Sequence, residues 1–206
     1  GVASRQAHAD LPKGTFEREI GKEGFYGPSA LIHHRHPPTG WIEWDGPLKP
    51  RAFDLNQVPK GRSGKWATYN ILFNEHCRVT WATSEGSLDH LVRNGDGDEL
   101  LFIHRGNGQL YCDFGCLDIE KGDYVLLPRG TMWRTEFSDL AEILMIEATN
   151  SSFGLPDKGL IGNHAFFDPA MLDTPVIDER FLGQQTITGN VEKWTVLIKR
   201  RNATST

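Results

Sequence analysis

A mononuclear iron centre needs two imidazoles and one carboxylate on a common face, with coordination positions left open. The stretch from Gly86 to Trp133 spaces its residues as though to supply that set. Gly86 is followed by five residues, then Val92-Arg93-Asn94; after four more comes Glu99, and after a further six Gly106. Gly122 opens a second run: five residues, Pro128-Arg129-Gly130, two more, and then Trp133. Of the marked positions Val92, Asn94, Glu99 and Trp133, only Glu99 carries a good ligating atom. Val92 and Trp133 offer none, and Asn94 is a poor neutral donor. A lone carboxylate would make a weak, labile site, so Glu99 is expected to be hydrogen-bonded or ion-paired, with Arg93, Arg105 and Arg134 as candidate partners.

Other residues could do chemistry in principle. His90 and His104 lie near Glu99 in sequence and form the low-ranking alternative ligand set with it. Strand alternation is taken to put His104 on the face opposite Phe102, and His90 lies off the ligand frame. In His33-His34-Arg35-His36, His34 and His36 would share a face if the segment is extended; the intervening Arg and Pro37-Pro38 favour a surface or interface segment. Gly95–Asp98 (GDGD) resembles a fragment of a calcium loop, but it lacks the later acidic positions and the bidentate Glu. A hairpin turn is expected there. Cys77, Cys112 and Cys116 form an odd set without a CxxC, which reads as buried reduced thiols and a cytoplasmic setting. No nucleophile–base–acid set, Gly-rich phosphate loop or HExxH helix is present. Hence no catalytic, cofactor-binding or metal-ligating residue is assigned in this chain.

The elements that position these residues read as strands. ATYNILFN and CRVTWAT flank a Glu75-His76 turn. ELLFIHRG, GQLYCDFG, LDIEKG, DYVLLPRG, MWRTEF and AEILMIEAT then follow at strand-like intervals with Gly, Asp and Asn between them. Pro128 is expected at a strand end, because it cannot donate to a ladder. Three segments follow: 1–64 as an arm and edge strands packing on a barrel, 65–150 as the barrel, and 151–206 as a loop-rich extension. That extension has a possible helical turn at DPAMLD and a final strand in VEKWTVLIKRR. Helix content is expected to be low.

With 206 residues, one domain with arms can bury a core without disulfides. A net charge of −5 gives no footprint for nucleic acid. No apolar run approaches the ~20 residues of a membrane span, and GVASRQAHADLPKG lacks the apolar core of a signal peptide. Neither nucleic acid nor membrane is expected as a partner.

The spacing in Gly86–Trp133 resembles the two motifs of the cupins. It implies an all-β fold: a double-stranded β-helix or jelly-roll barrel, here with an irregular N-terminal arm and a loop-rich C-terminal excursion. The wording of GKEGFYGPSALIHHRHPPT, RNGDGDELLFIHRGNGQLYCDFGCLDIEKGDYVLLPRGTMWR and GLIGNHAFFDPAMLDTPVID, in that order, resembles the N-terminal half of homogentisate 1,2-dioxygenases over roughly residues 8–201. That resemblance implies an Fe2+-dependent ring-opening oxygenase of tyrosine and phenylalanine catabolism, converting homogentisate and O2 to maleylacetoacetate. It also implies that the two His and one Glu holding iron belong to a second, C-terminal cupin absent from this chain. The partners implied are that cupin, further copies in a homo-oligomer, and a small aromatic acid. Trp41, Trp44 and the Asn163–Asp168 segment are candidates for interdomain contacts. The alternative is a stand-alone, metal-free cupin that binds a small aromatic or sugar-like ligand without catalysis.

Overall fold

The computed structural model describes residues 12–24, 26–49, 51–58, 66–155, 167–187 and 193–206, with only the backbone of 185–187. The chain divides into two compact units, Gly1–Phe53 and Asp54–Thr206.

The first unit is built on an antiparallel hairpin, β1 (Phe16–Glu23) and β2 (Tyr26–His34), paired from Phe16↔His34 to Glu23↔Tyr26 with a bulge between Gly21 and Glu23. β2 ends at His34, and Arg35-His36 form a bend, so the extended geometry needed to put His34 and His36 on one face stops short of His36. Trp41 and Trp44 contact each other edge to face at 4.8 Å, and Trp41 remains 64% exposed.

The second unit is a strand-built sandwich. One sheet has five strands in the order β3 (Ala67–Phe73), β4 (Cys77–Glu85), β11 (Leu140–Thr149), β6 (Gly97–Arg105) and β9 (Tyr124–Leu127). The other has six, in the order β13 (Ala203–Ser205), β12 (Val196–Arg200), β5 (Leu91–Asn94), β10 (Met132–Phe137), β7 (Gly108–Cys112) and β8 (Gly115–Ile119). The core lies between them. Ala82, Leu101, Ile103, Val125, Leu127, Ile143 and Met145 come from the five-stranded sheet, and Val92, Leu110, Cys112, Ile119, Trp133 and Phe137 from the six-stranded one. Period-2 alternation explains the choice, since every second residue of each strand faces inward. This is the all-β cupin jelly roll expected from the motif spacing.

Local chemistry sets the turns. Asn74 Oδ1 accepts from the His76 and Cys77 amides at 2.8 and 2.7 Å, which closes the Glu75-His76 turn between β3 and β4. Gly106 closes the first motif and Gly122 opens the second; their φ values of 109° and 104° are ones a side chain would strain. Pro128 follows immediately after β9.

Gly95–Asp98 differs from expectation. Gly95 and Asp96 do form a turn, but it passes the chain from β5 in one sheet to β6 in the other instead of joining two paired strands. The acidic side chains decide this. Asp98 accepts from the Arg129 and Phe153 amides, and Asp96 from the Arg201 and Asn202 amides, so each carboxylate ties the corner to a remote loop.

The DPAMLD turn is a 3-10 helix, Pro169–Met171, capped by the Asp168 side chain accepting from the Ala170 amide. Two further helical segments differ from expectation: the 3-10 turn Leu55–Gln57, and α1 (Glu179–Ile187), where Asp178 Oδ1 accepts from the Phe181 amide at 2.9 Å. The Gly and Thr of α1 conceal it from pattern reading, and the Asp178 cap is the signal that could have revealed it. Among the described residues no helix is long and apolar enough to cross a membrane.

Candidate functional site

Val92, Asn94, Glu99 and Trp133 converge. Val92 and Trp133 are direct cross-strand partners on β5 and β10. Asn94 lies two residues beyond Val92 on the same face of β5, and Glu99 projects inward from β6. All four are buried. Val92, Asn94 and Glu99 also line a cleft of about 200 Å³ between the sheets, together with Trp66, Met145 and Leu197 on its apolar side.

The residue types rule out iron there. Val92 brings only methyl groups, and Trp133 an indole whose N–H cannot ligate. The Asn94 oxygen accepts from the Asp96 amide at 2.8 Å, and its Nδ2 donates to Glu147 Oε2 at 2.6 Å. Among the described residues no group of three or more His, Cys, Asp and Glu could hold a metal ion. The donor set does not fit iron.

Neither alternative histidine reaches Glu99. His104 sits on the outer face of the five-stranded sheet, its ring 5.3 Å from that of Trp81 and 6.4 Å from that of Phe102. The expectation that it opposes Phe102 is corrected: residues two apart on a strand share a face, and the alternation of β6 sends both outward while Glu99 points in. His90 lies outside the strands and pairs through Nδ1 with Asp89 Oδ1 at 2.8 Å.

The expected arginine partners of Glu99 are also corrected. Arg134 bonds to Glu136 at 2.6 Å and Gln184 at 2.9 Å, its guanidinium lying over the Tyr111 and Trp194 rings. Arg93 donates to the Met132 sulfur at 3.9 Å, and Arg105 lines a different cleft. Instead Glu99 sits in a polar network that sequence reasoning missed. Lys199 Nζ donates to Glu147 Oε2 at 2.5 Å and to Asp96 Oδ2 at 3.0 Å, and Thr149 Oγ1 donates to Glu147 Oε1 at 2.8 Å. Lys199 enters because β12 pairs in parallel with β5, setting Lys199 beside Asn94.

These contacts split the acids. Lys199, Asn94 and Thr149 hold the Glu147 carboxyl below its usual range against the opposing effect of burial. The backbone amides of Asn202 and Arg201 together with Lys199 do the same for Asp96. Glu99 goes the other way, to about 7. Burial is the main cause and the nearby Glu147 charge adds to it, while Asn94, Lys199 and the Trp133 indole partly oppose the rise. Trp133 Nε1 completes no hydrogen bond of acceptable geometry, so its N–H acts on Glu99 only by proximity.

This shift has a testable sign. The folded value of about 7 exceeds the ordinary 4.5, so the folded state holds the Glu99 proton more tightly than the unfolded chain does. The contribution is complete below about 4.5 and is lost as pH rises to about 7. Glu99→Gln is therefore expected to remove a fall in stability across that window and to be more stable than the parent above it. Urea denaturation of both chains from pH 4 to 8 measures the difference; parallel curves would contradict it.

Cys77, Cys112 and Cys116 are all free thiols, and burial pushes those of Cys112 and Cys116 up. Of the Asn163–Asp168 segment, residues 163–166 lie outside the described residues.

Residues 74–196 match the family model described as homogentisate 1,2-dioxygenase N-terminal. The chain is 27% identical over 144 residues to a putative dioxygenase of Saccharolobus solfataricus, covering 64% of this chain and 38% of that protein. It is 30% identical over 170 residues to the homogentisate 1,2-dioxygenase of Bradyrhizobium diazoefficiens, covering 81% of this chain and 37% of that one. The chain thus spans less than two-fifths of the length of either relative. Among solved structures it is similar to the Cnp3 cupin domain of Schizosaccharomyces pombe, with a TM-score of 0.43, 10% identity and coverage of 67% of this chain and 89% of that one.

Proposed function

We infer the function from one premise: the chain belongs to the homogentisate 1,2-dioxygenase N-terminal family. It is the N-terminal cupin of a non-haem Fe2+ dioxygenase that opens the ring of homogentisate with O2, giving maleylacetoacetate in tyrosine and phenylalanine catabolism. Iron belongs to a second cupin, and when bound there it supplies O2 activation. The observation that carries this division is the set at the frame positions, where Val92, Asn94 and Trp133 take the places a metal would need. The role of this barrel is to pack on the catalytic cupin and help build a homo-oligomer in the cytoplasm. Exposed apolar side chains such as Trp41, Phe73 and Tyr124 are available for such contacts.

The test is to express this chain alone and together with the C-terminal part of the Bradyrhizobium relative, load both with Fe(II) anaerobically, desalt, and assay iron and ring opening. This chain alone is expected to retain under about one-tenth equivalent of iron and to open no ring, while the pair copurifies and turns over homogentisate. Stoichiometric iron on this chain by itself, or full activity of the C-terminal part without it, would overturn the division of labour.

A further inference from the structure

Beyond any scaffolding role, the cleft between the sheets has the features of a ligand site that needs no metal. Its volume of about 200 Å³ is room for about seven waters at bulk density. Along the inner face of the five-stranded sheet, Arg78, Glu147 and Glu99 are consecutive cross-strand neighbours on β4, β11 and β6. Two strand spacings, about 10 Å, therefore separate the backbones of Arg78 and Glu99. The intervening Glu147 is engaged by Lys199, Asn94 and Thr149.

Arg78 differs from the other charges of the cleft. Among the described residues Lys199 is bound by two carboxylates, whereas the two arginines that line the cleft, Arg78 and Arg93, have no ion pair. Arg93 alternates with Val92 and Asn94 on β5 and donates to the Met132 sulfur, while Arg78 stands beside Glu147 on the inner face of the ladder. Its Nη2 donates to Asn202 Oδ1 at 2.7 Å, and its guanidinium lies 5.4 Å from the centre of the Phe73 ring. Those two contacts hold the group in place, while its buried Nε–H has no acceptor among the described residues. A buried donor on a fixed guanidinium calls for an anionic oxygen, and a carboxylate meets it with charge-assisted hydrogen bonds. The remaining wall is mixed. Trp66, Val92, Met145 and Leu197 offer an apolar surface, while Thr68, Thr80 and Thr204 supply hydroxyls.

We propose that this cleft binds a small organic acid with a single carboxylate, its anionic head on Arg78 and its apolar body against Trp66, Val92, Met145 and Leu197. A guanidinium fixed on the inner face of the ladder, opposite an apolar wall, selects an amphipathic anion over a sugar, which would need hydrogen-bond partners around its whole periphery.

The test is calorimetric titration of the full chain with 3-phenylpropanoate, its uncharged amide 3-phenylpropanamide, and glucose. The acid is expected to bind saturably at one site, the amide at least about tenfold more weakly, and glucose not at all. Arg78→Met should weaken the acid at least about tenfold and leave the amide unchanged, with folding checked by circular dichroism. If that variant fails to fold, the acid-to-amide ratio on the parent chain still decides. Equal affinity for acid and amide, glucose as the better ligand, or no saturation by the acid at ~10 mM would overturn the proposal. The outcome is independent of where iron sits, so it can fail without touching the assignment of the barrel to a two-cupin enzyme.

Discussion

Lys199→Met is expected to destabilise the second unit by about 3 kcal/mol, because removing one partner of a buried ion cluster strands the others. The side chains of Glu147 and Asp96 are 5% and 9% exposed, and each loses the cation that lies within 3.0 Å of it. At this chain length the loss corresponds to a melting temperature lower by roughly 10 °C. The double variant Glu147→Met/Lys199→Met is expected to recover much of the loss, since an apolar pair of similar volume removes both desolvated charges together. Asp96 would keep its Arg201 and Asn202 amide donors in that background. Lys199 also opposes the rise at Glu99, so the single variant should push the Glu99 carboxyl further up. Thermal melts of the parent, both single variants and the double variant give the coupling. A single-variant loss below about 1 kcal/mol would show that the cluster is not under this constraint.

Trp133→Ala carries the second large effect, about 4 kcal/mol, by emptying the floor beneath the frame. The indole is 1% exposed and meets the Trp66 ring edge to face at 5.9 Å. It belongs to the same buried cluster as Leu110, Cys112 and Phe137. Trp133→Phe should lose less than the Ala variant, because a six-membered ring stays in the site while the five-membered ring of the indole goes with its unsatisfied N–H. Urea titration of the three chains decides; a loss under about 1.5 kcal/mol for the Ala variant would mean that the cluster closes over the gap. A histidine in the motif would serve a metal. In this chain the position serves packing.

The spacers of Gly86–Gly106 and Gly122–Trp133 were legible because they count residues along consecutive strands, where period 2 and turn chemistry act locally. They placed Val92, Asn94, Glu99 and Trp133 around one point without any knowledge of tertiary contacts. The neighbours of Glu99 were not legible. Arg93 and Arg105 are close to Glu99 in sequence and Arg134 adjoins Trp133, yet strand geometry sends Arg134 to Glu136 and Gln184, while the nearby cation is Lys199. Nothing local announces a parallel pairing between β5 and β12, since each strand reads equally well beside any other. The split of Gly95–Asp98 between two sheets was hidden for the same reason: a turn signal says that the chain reverses, not which strand it then joins. The placement of His104 is legible in the strand itself, since it lies two residues from Phe102 and so shares its face.

The pairing of β12 with β5 also orders events in time. Leu91 and Val196 are partners across 196 − 91 = 105 positions, so the entropy of closing that loop must be met before the contact returns anything. Asp96 and Glu147 are both synthesised well before Lys199. A nascent chain can therefore assemble the five-stranded sheet while its interior acids still lack their counter-ion and one edge of β5 is open to other strands. β12, made after the five-stranded sheet, brings the counter-ion as it covers the edge of β5.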